Sequence, residues 1–267
     1  GMKPFDALIH SLSTISTGGF SSREGGINEF SSIAIELVIC LFMLLGALNF
    51  TLYWAIANGK WNDIFSEGEF RYLIVIIIFF LFIVFIVSFG FLGFFSTEIL
   101  RFSLFNIISS ITTTGYHLNY YGEQFSFSIF YILFILLMLI GGASVSTSGG
   151  IKILRLIVFF KLTFSELFKL SHPNAVFPIN YMNKSIDENS LRSAWGFLMT
   201  FISVFVITTL FFSICGLGFI DSFSLSAWIN TSRFIVIPNG MRNCSFLFVR
   251  IISSHYTLKF WKLIYHP

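Results

Sequence analysis

The chain has 267 residues, a formal net charge of +3, 55% apolar and 11% charged residues, and a mean hydropathy of +0.84. Soluble domains typically carry about 25% charged residues, so the composition excludes an ordinary soluble domain and points to a membrane protein. The positive charge is too small and too scattered for a nucleic-acid partner, and Cys40, Cys215 and Cys244, far apart in apolar stretches without CxxC spacing, read as inert core or lipid-facing residues.

The opening GMKPFDA carries no basic segment ahead of an apolar one, so no cleavable signal peptide is expected, and it reads like the interior of a longer protein. Residues 5–15 predict a helix too short to cross a bilayer, which needs about 20 apolar residues. This helix ends in the cluster STISTGGF. Residues 33–57 are the first predicted span, with Glu36 near its start and Asn49 inside it, and residues 70–95 are the second. A second short helix, residues 102–111, ends in SITTTGY. A third span begins near Phe127, runs through FYILFILLMLIGG into the Gly/Ser/Thr stretch 141–150, and resumes as IKILRLIVFFKLTF. The fourth covers residues 191–217.

Charge orients these spans. Loop 58–71 holds Lys60 and Arg71, and residues 151–192 hold Lys152, Arg155, Lys161, Lys169, Lys184 and Arg192, whereas the opposite loops hold Arg23 and Arg101. The bias places the first two segments in the cytoplasm and both Thr/Gly clusters outside. That topology requires the two short helices to enter and return on one side. Re-entrant backbone at membrane depth has to be buried in protein or line a watery cavity. An ion filter meets that demand, because glycine permits backbone angles closed to other residues and main-chain carbonyls replace an ion's water shell. The unit of short helix, Thr/Gly turn and span occurs in residues 4–57 and again, with a preceding span, in residues 70–155; residues 191–223 resemble the first span of a further copy.

Other features read more plainly. GGASVSTSGGIK lacks the GK[ST] of a phosphate loop and follows an apolar helix, not a strand. Small residues there let a membrane helix unwind, with Ser and Thr hydroxyls satisfying freed backbone groups. Lys152 reads as an interfacial residue reaching the inner surface. Asn49 reads as a helix-to-helix hydrogen bonder, and Glu36 as interfacial or as negative charge at a cation entrance. His10 and His117, beside the two turns, read as structural or mouth-lining residues; His172 with Pro173 marks a loop corner. There is no HExxH, GxSxG or dinucleotide fingerprint, so no enzyme activity and no cofactor are expected.

Three motifs in order, FDALIHSLSTISTGGFS, GGASVSTSGGIKILR and HPNAVFPINYMNKSIDENSLRSAWGF, together with TTTGY, resemble the Trk/Ktr/HKT superfamily of potassium-uptake proteins, in particular its bacterial TrkH type. The likeness runs over roughly residues 1–222. It implies an all-α polytopic fold of span–pore-helix–span repeats, here about four spans and two re-entrant hairpins, in the bacterial inner membrane. It implies potassium as the transported ion, held by Ser16, Thr17, Gly18 and Gly19 and by Thr112, Thr113, Thr114 and Gly115. It implies an intramembrane gate at the glycine-rich break, with Gly141, Gly142, Ser146, Thr147, Gly149, Gly150 and Lys152. It also implies a homodimer and a cytoplasmic nucleotide-binding regulatory subunit, besides membrane lipid.

On this reading residues 1–57 are the second repeat's hairpin and span, 58–69 a cytoplasmic loop, 70–165 the third repeat, 166–190 a second cytoplasmic loop and 191–223 the first span of the fourth. Repeat one and the first span of repeat two have no counterpart. Residues 224–267 form an atypical tail, read as a frameshift or gene break, without a fitting filter glycine. Val145 stands where the family's gate usually carries Gly. Two alternatives stay open: a nonconducting remnant or accessory membrane subunit, and an unrelated transporter that binds a substrate where residues 141–150 unwind.

Overall fold

The structure is a computed structural model and describes residues 1–60, 67–92, 96–118, 127–172, 180–181, 184–185 and 188–231. Its architecture is helical. Helix α1 (Pro4–Ile15) begins with proline in its first turn, where the missing N–H costs nothing, and has Asp6 beside the positive helix start. A short 3₁₀ turn (Gly26–Phe30) leads to α2 (Ile33–Ala47) and α3 (Phe50–Ala57). Helix α4 (Gly68–Leu92) is apolar all round, and α5 (Thr97–Ile111) is capped by the Ser96 hydroxyl, which accepts from Ile99 N at 3.2 Å. Helices α6 (Phe127–Ile140) and α7 (Ile153–Ser171) flank a loop, a two-residue ladder pairs Asn180–Tyr181 with Lys184–Ser185, and α8 (Glu188–Ile214) and α9 (Phe219–Thr231) follow.

Helix α5 lies at the centre, packed on α2, α4 and α6. Its Ile99, Phe102, Phe105, Ile107, Ile108 and Ile111 are all buried, in one cluster with Met43 of α2 and Leu137 of α6. Helix α1 rests on α2, and α9 rests on α8 and α6. Large side chains such as Val75, Phe79, Phe82, Phe89, Ile207 and Phe211 stay exposed along α4 and α8. So much continuous apolar surface suits hydrocarbon rather than water. Among the described residues two stretches, Gly68–Gly90 and Leu191–Ile214, are long and apolar enough to cross a membrane, and α2 with α3 makes a third only if the bent pair counts as one span.

That bend breaks the helix expected to run without interruption over residues 33–57. The two helices meet at 95° around Leu48 and Asn49. The carbonyls of Gly46 and Ala47, which would bond onward in a continuous helix, accept instead from Thr147 N and Ala143 N at 3.2 and 3.0 Å. Asn49 then caps the new helix by accepting from Thr51 N at 3.0 Å. The third expected span is observed in two pieces, α6 and α7, separated at residues 141–152 as the glycines suggested. The second short helix starts earlier than expected, at Thr97, and α7 runs on to Ser171, past residue 165. Past Ser224 the chain continues in α9 to Thr231, with Ser224, Ser226, Ala227 and Thr231 buried; the rest of the expected tail lies outside the described residues.

Candidate ion-binding turns and the loop joined to them

The chain leaves α1 and α5 by the same route. After α1, Thr17 N donates to Thr14 O at 3.1 Å and Gly18 N to Ser13 O at 2.7 Å. After α5, Thr113 N donates to Ser110 O and Thr114 N to Ser109 O, both at 3.0 Å. The left-handed residues match too: Thr17 and Thr113 at φ +51° and +54°, Gly19 and Gly115 at φ +67° and +88°. Residues 13–20 thus map one for one onto residues 109–116. A threonine in this region is strained, and two at corresponding positions mark a repeated design rather than an ordinary helix end.

The two turns adjoin. A β-carbon at Gly19 would lie 2.0 Å from the Thr114 carbonyl oxygen, so nothing larger than glycine fits there without displacing the second turn. A β-carbon at Gly115 would meet nothing within 4 Å among the described residues. Tyr116 ties the pair together: its hydroxyl donates to Phe20 O at 3.1 Å, and its ring stacks on His10 with centroids 6.0 Å apart. Each turn also has a polar brace at one corresponding helix position. His10 bonds Asp6 O and Ser21 Oγ at 2.7 and 3.0 Å, and Asn106 donates to Phe102 O and Leu118 O while accepting from Leu118 N. This fixes His10 as a structural residue. His117 is buried with its ring edge-on to Phe102.

Two ion pairs hold the hairpins. Arg23 donates to Asp6 Oδ2 at 2.8 Å and Ser22 Oγ donates to Asp6 Oδ1 at 2.6 Å. The Ser22 hydroxyl and then the Arg23 guanidinium hold the Asp6 carboxyl below the usual aspartate range. Glu36, expected as interfacial or entrance charge, is buried and takes both Arg101 Nε and Nη2, joining α2 to α5.

The glycine-rich loop contacts both turns. Thr17 Oγ1 donates to Thr147 O at 2.9 Å, and Thr113 Oγ1 accepts from Gly149 N at 2.7 Å. The corresponding threonines of the two turns therefore reach two positions of one loop. A β-carbon at Gly149 would come 1.6 Å from Thr231 O, so the end of α9 presses on the loop as well. Gly141 and Gly150, at φ +74° and +77°, lie back to back where the loop opens and closes. Inside it, Ser148 Oγ accepts from Gly142 N at 3.1 Å and pairs with Ser146 Oγ at 2.6 Å, while Ser146 donates to Ala143 O at 2.6 Å. Thr147 Oγ1 donates to Gly46 O at 2.9 Å. Val145 turns its side chain outward while its carbonyl accepts from Phe50 N at 2.8 Å. Unwound backbone here is satisfied by hydroxyls and by the broken α2.

Lys152, the expected interfacial residue, donates to Ser144 O at 2.5 Å. Glu69 accepts from Ser144 N at 2.7 Å, and Glu67 accepts from Asn49 Nδ2 at 2.9 Å. Burial, and secondarily the neighbouring Glu69, pushes the Glu67 carboxyl up to about 7. Sequence reasoning did not single out Glu67, Glu69, Asn106 or Thr231. Aligning the two turns would have found Asn106, because it occupies the position of His10.

These turns and this loop lie inside the stretch matched by the family model of TrkH, described as cation transport protein, which covers residues 2–227. The chain belongs to the TrkH family. The Trk system potassium uptake protein TrkH of Escherichia coli strain K12 is 31% identical over 230 residues, 85% of this chain and 46% of that protein. The same strain's Trk system potassium uptake protein TrkG is 34% identical over 239 residues, 86% of this chain and 47% of that protein. The crystal structure of the potassium transporter TrkH from Vibrio parahaemolyticus superposes with a TM-score of 0.77 at 29% identity, over 99% of this chain and 58% of that one. The chain thus spans about half the length of the curated relatives it matches. Family membership and the two apolar spans make it a multi-pass membrane protein.

Proposed function

We propose that residues 16–19 and 112–115 are two strands of a potassium-preferring filter in a Trk-type uptake protein of the bacterial inner membrane. The observation that carries this reading is the repetition of one strained backbone frame in two turns that meet where Gly19 faces the Thr114 carbonyl. Alternating left- and right-handed residues let successive carbonyl oxygens face one side, where they replace the water around a dehydrated cation. Helices α1 and α5 both end at these turns, each bringing roughly half a negative charge from its C-terminus. The short helices enter and return on the outer side, and ions pass the filter passively. The loop at residues 141–150, bonded to the threonines of both turns, obstructs or opens the inner path. A second copy of the protein and a nucleotide-binding cytoplasmic subunit belong to the same reading.

The test is a chimera in which this chain replaces the matching half of a full-length relative, expressed in an uptake-deficient strain under potassium limitation. Growth is expected to be rescued, and Gly115→Leu is expected to abolish rescue; unchanged uptake in the variant overturns the filter assignment. Among the described residues a β-carbon at Gly115 meets nothing, where one at Gly19 has a neighbour, and this favours a second statement. Two strands flank an ion without surrounding it, so the purified chain in liposomes is expected to pass no potassium. Measurable flux overturns that.

A further inference from the structure

Ser144 is held between opposite charges through its two main-chain groups. Its N–H donates to Glu69 Oε2 at 2.7 Å, and its carbonyl accepts from Lys152 Nζ at 2.5 Å. Glu69 is 5% exposed in the first turn of α4. Lys152 stands immediately before α7 with φ +74°, a left-handed conformation that a non-glycine residue keeps only when its surroundings hold it there. Two residues before Glu69, Glu67 accepts from Asn49, the cap of α3. The starts of α3, α4 and α7 therefore converge on one end of the loop that also reaches Thr17 and Thr113.

We infer that Glu69 and Lys152 are positioning residues that clamp the loop through the main chain of Ser144 and couple the start of α4 to the loop's conformation. The N–H belongs to the Ala143–Ser144 peptide and the carbonyl to the Ser144–Val145 peptide, so two successive peptides each have a charged partner, and charge-assisted bonds of this kind are about twice as strong as neutral ones. The two bonds hold the main chain of one residue from both sides, so loss of either loosens the geometry of the other. The loop has two settings under this scheme: docked on the turns with the clamp closed, and released when either charge is withdrawn. A displacement of the segment carrying Glu67 and Glu69 draws the carboxylate from Ser144 and releases the loop without touching the turns. The regulatory consequence rests on the reading of the loop as the obstruction; the clamp itself does not.

Hydrogen exchange read by mass spectrometry on the full chain in detergent micelles tests the clamp without any ion flux, so its failure is distinct from failure of the transport reading. Glu69→Gln and Lys152→Met are each expected to speed exchange of the loop amides about tenfold, the worth of a hydrogen bond to a charged group, while α8 keeps its protection. Lys152→Arg is expected to restore protection, because a cation again faces the carbonyl. The double variant is expected to exchange scarcely faster than either single one, since freeing one side of Ser144 already loosens the bond on the other. Fully additive effects overturn the proposal. So does unchanged loop exchange, and so does loss of protection in α8 together with the loop, which would make the pair a general support of the fold.

Discussion

The two turns share a backbone and differ in what surrounds it. Thr112, Thr113 and Thr114 are 0%, 8% and 3% exposed, enclosed by neighbouring helices and the loop, whereas Ser16 is exposed and Thr17 half-buried. The support also changes sign. In the first turn Ser13 Oγ accepts from Phe20 N at 2.6 Å; in the second, Ser109 Oγ donates to Tyr116 O at 2.6 Å. One backbone frame is thus held by different bonds. The frame itself follows from two left-handed residues separated by one, and the side-chain braces are exchangeable.

The sharpest way to break this equivalence is at the glycines. Gly19→Ala has to accept a left-handed conformation and displace the Thr114 carbonyl, for a loss of about 3 kcal/mol or more. Gly115→Ala meets the conformational term alone and loses about 1 kcal/mol. Thermal unfolding of the chain in detergent measures both, and equal losses would remove the contact between the turns from the argument. Next in size is Arg101→Ala, which leaves the buried Glu36 carboxylate unpaired. Because Arg101 is itself partly exposed, the loss is expected to be about 2 kcal/mol, below that of a fully buried pair. A change under about 0.5 kcal/mol, the range of an exposed pair, would show that water already reaches Glu36.

The threonines test the link to the loop. Thr113→Val leaves Gly149 N–H without its acceptor inside a crowded turn, and about 1 kcal/mol of stability is expected to go with it. Thr17→Val takes a donor from the Thr147 carbonyl at a more exposed site, and a smaller loss is expected. If Thr17→Val proves the larger, the first turn is better enclosed in solution than its exposure indicates.

Much of this was legible in the sequence, and the illegible parts share a cause. The short helices, both Thr/Gly turns and the break at residues 141–150 stand out because glycine and hydroxyl residues interrupt long apolar runs. The bend at Leu48 and Asn49 does not, because LFMLLGALNFTLYWAIA reads as one span by hydropathy. What breaks it is a set of donors, Ala143 and Thr147, about a hundred positions onward that take the carbonyls of Ala47 and Gly46. Lys152 reads as an interfacial charge because it lies beside an apolar run, and nothing in the sequence singles out Glu69. Their shared partner is the main chain of Ser144, by its N–H and its carbonyl, which no side-chain pattern records. Main-chain hydrogen bonds between distant segments are invisible to composition and periodicity, and this site is made of them.

The smallest effect separates the turns by pH. Asp6 occupies in α1 the position that Phe102 occupies in α5, so the first hairpin has a titratable anchor where the second has an apolar one. Ser22 and Arg23 favour the ionised carboxylate, and the folded pKa of Asp6 lies below its unfolded value. The sign follows: the stabilisation is fully present above the unfolded value of about 3.9 and is lost as pH falls through the lower folded value. The difference in melting temperature between the unmodified chain and Asp6→Asn is therefore expected to be constant near neutrality and to close below about pH 4. Arg23→Ala is expected to narrow the same difference above about pH 4 by removing the second of the two donors. A gap that persists unchanged into strong acid would mean that Asp6 anchors the first hairpin by shape alone, and the two turns would then be as alike in their supports as they are in their backbones.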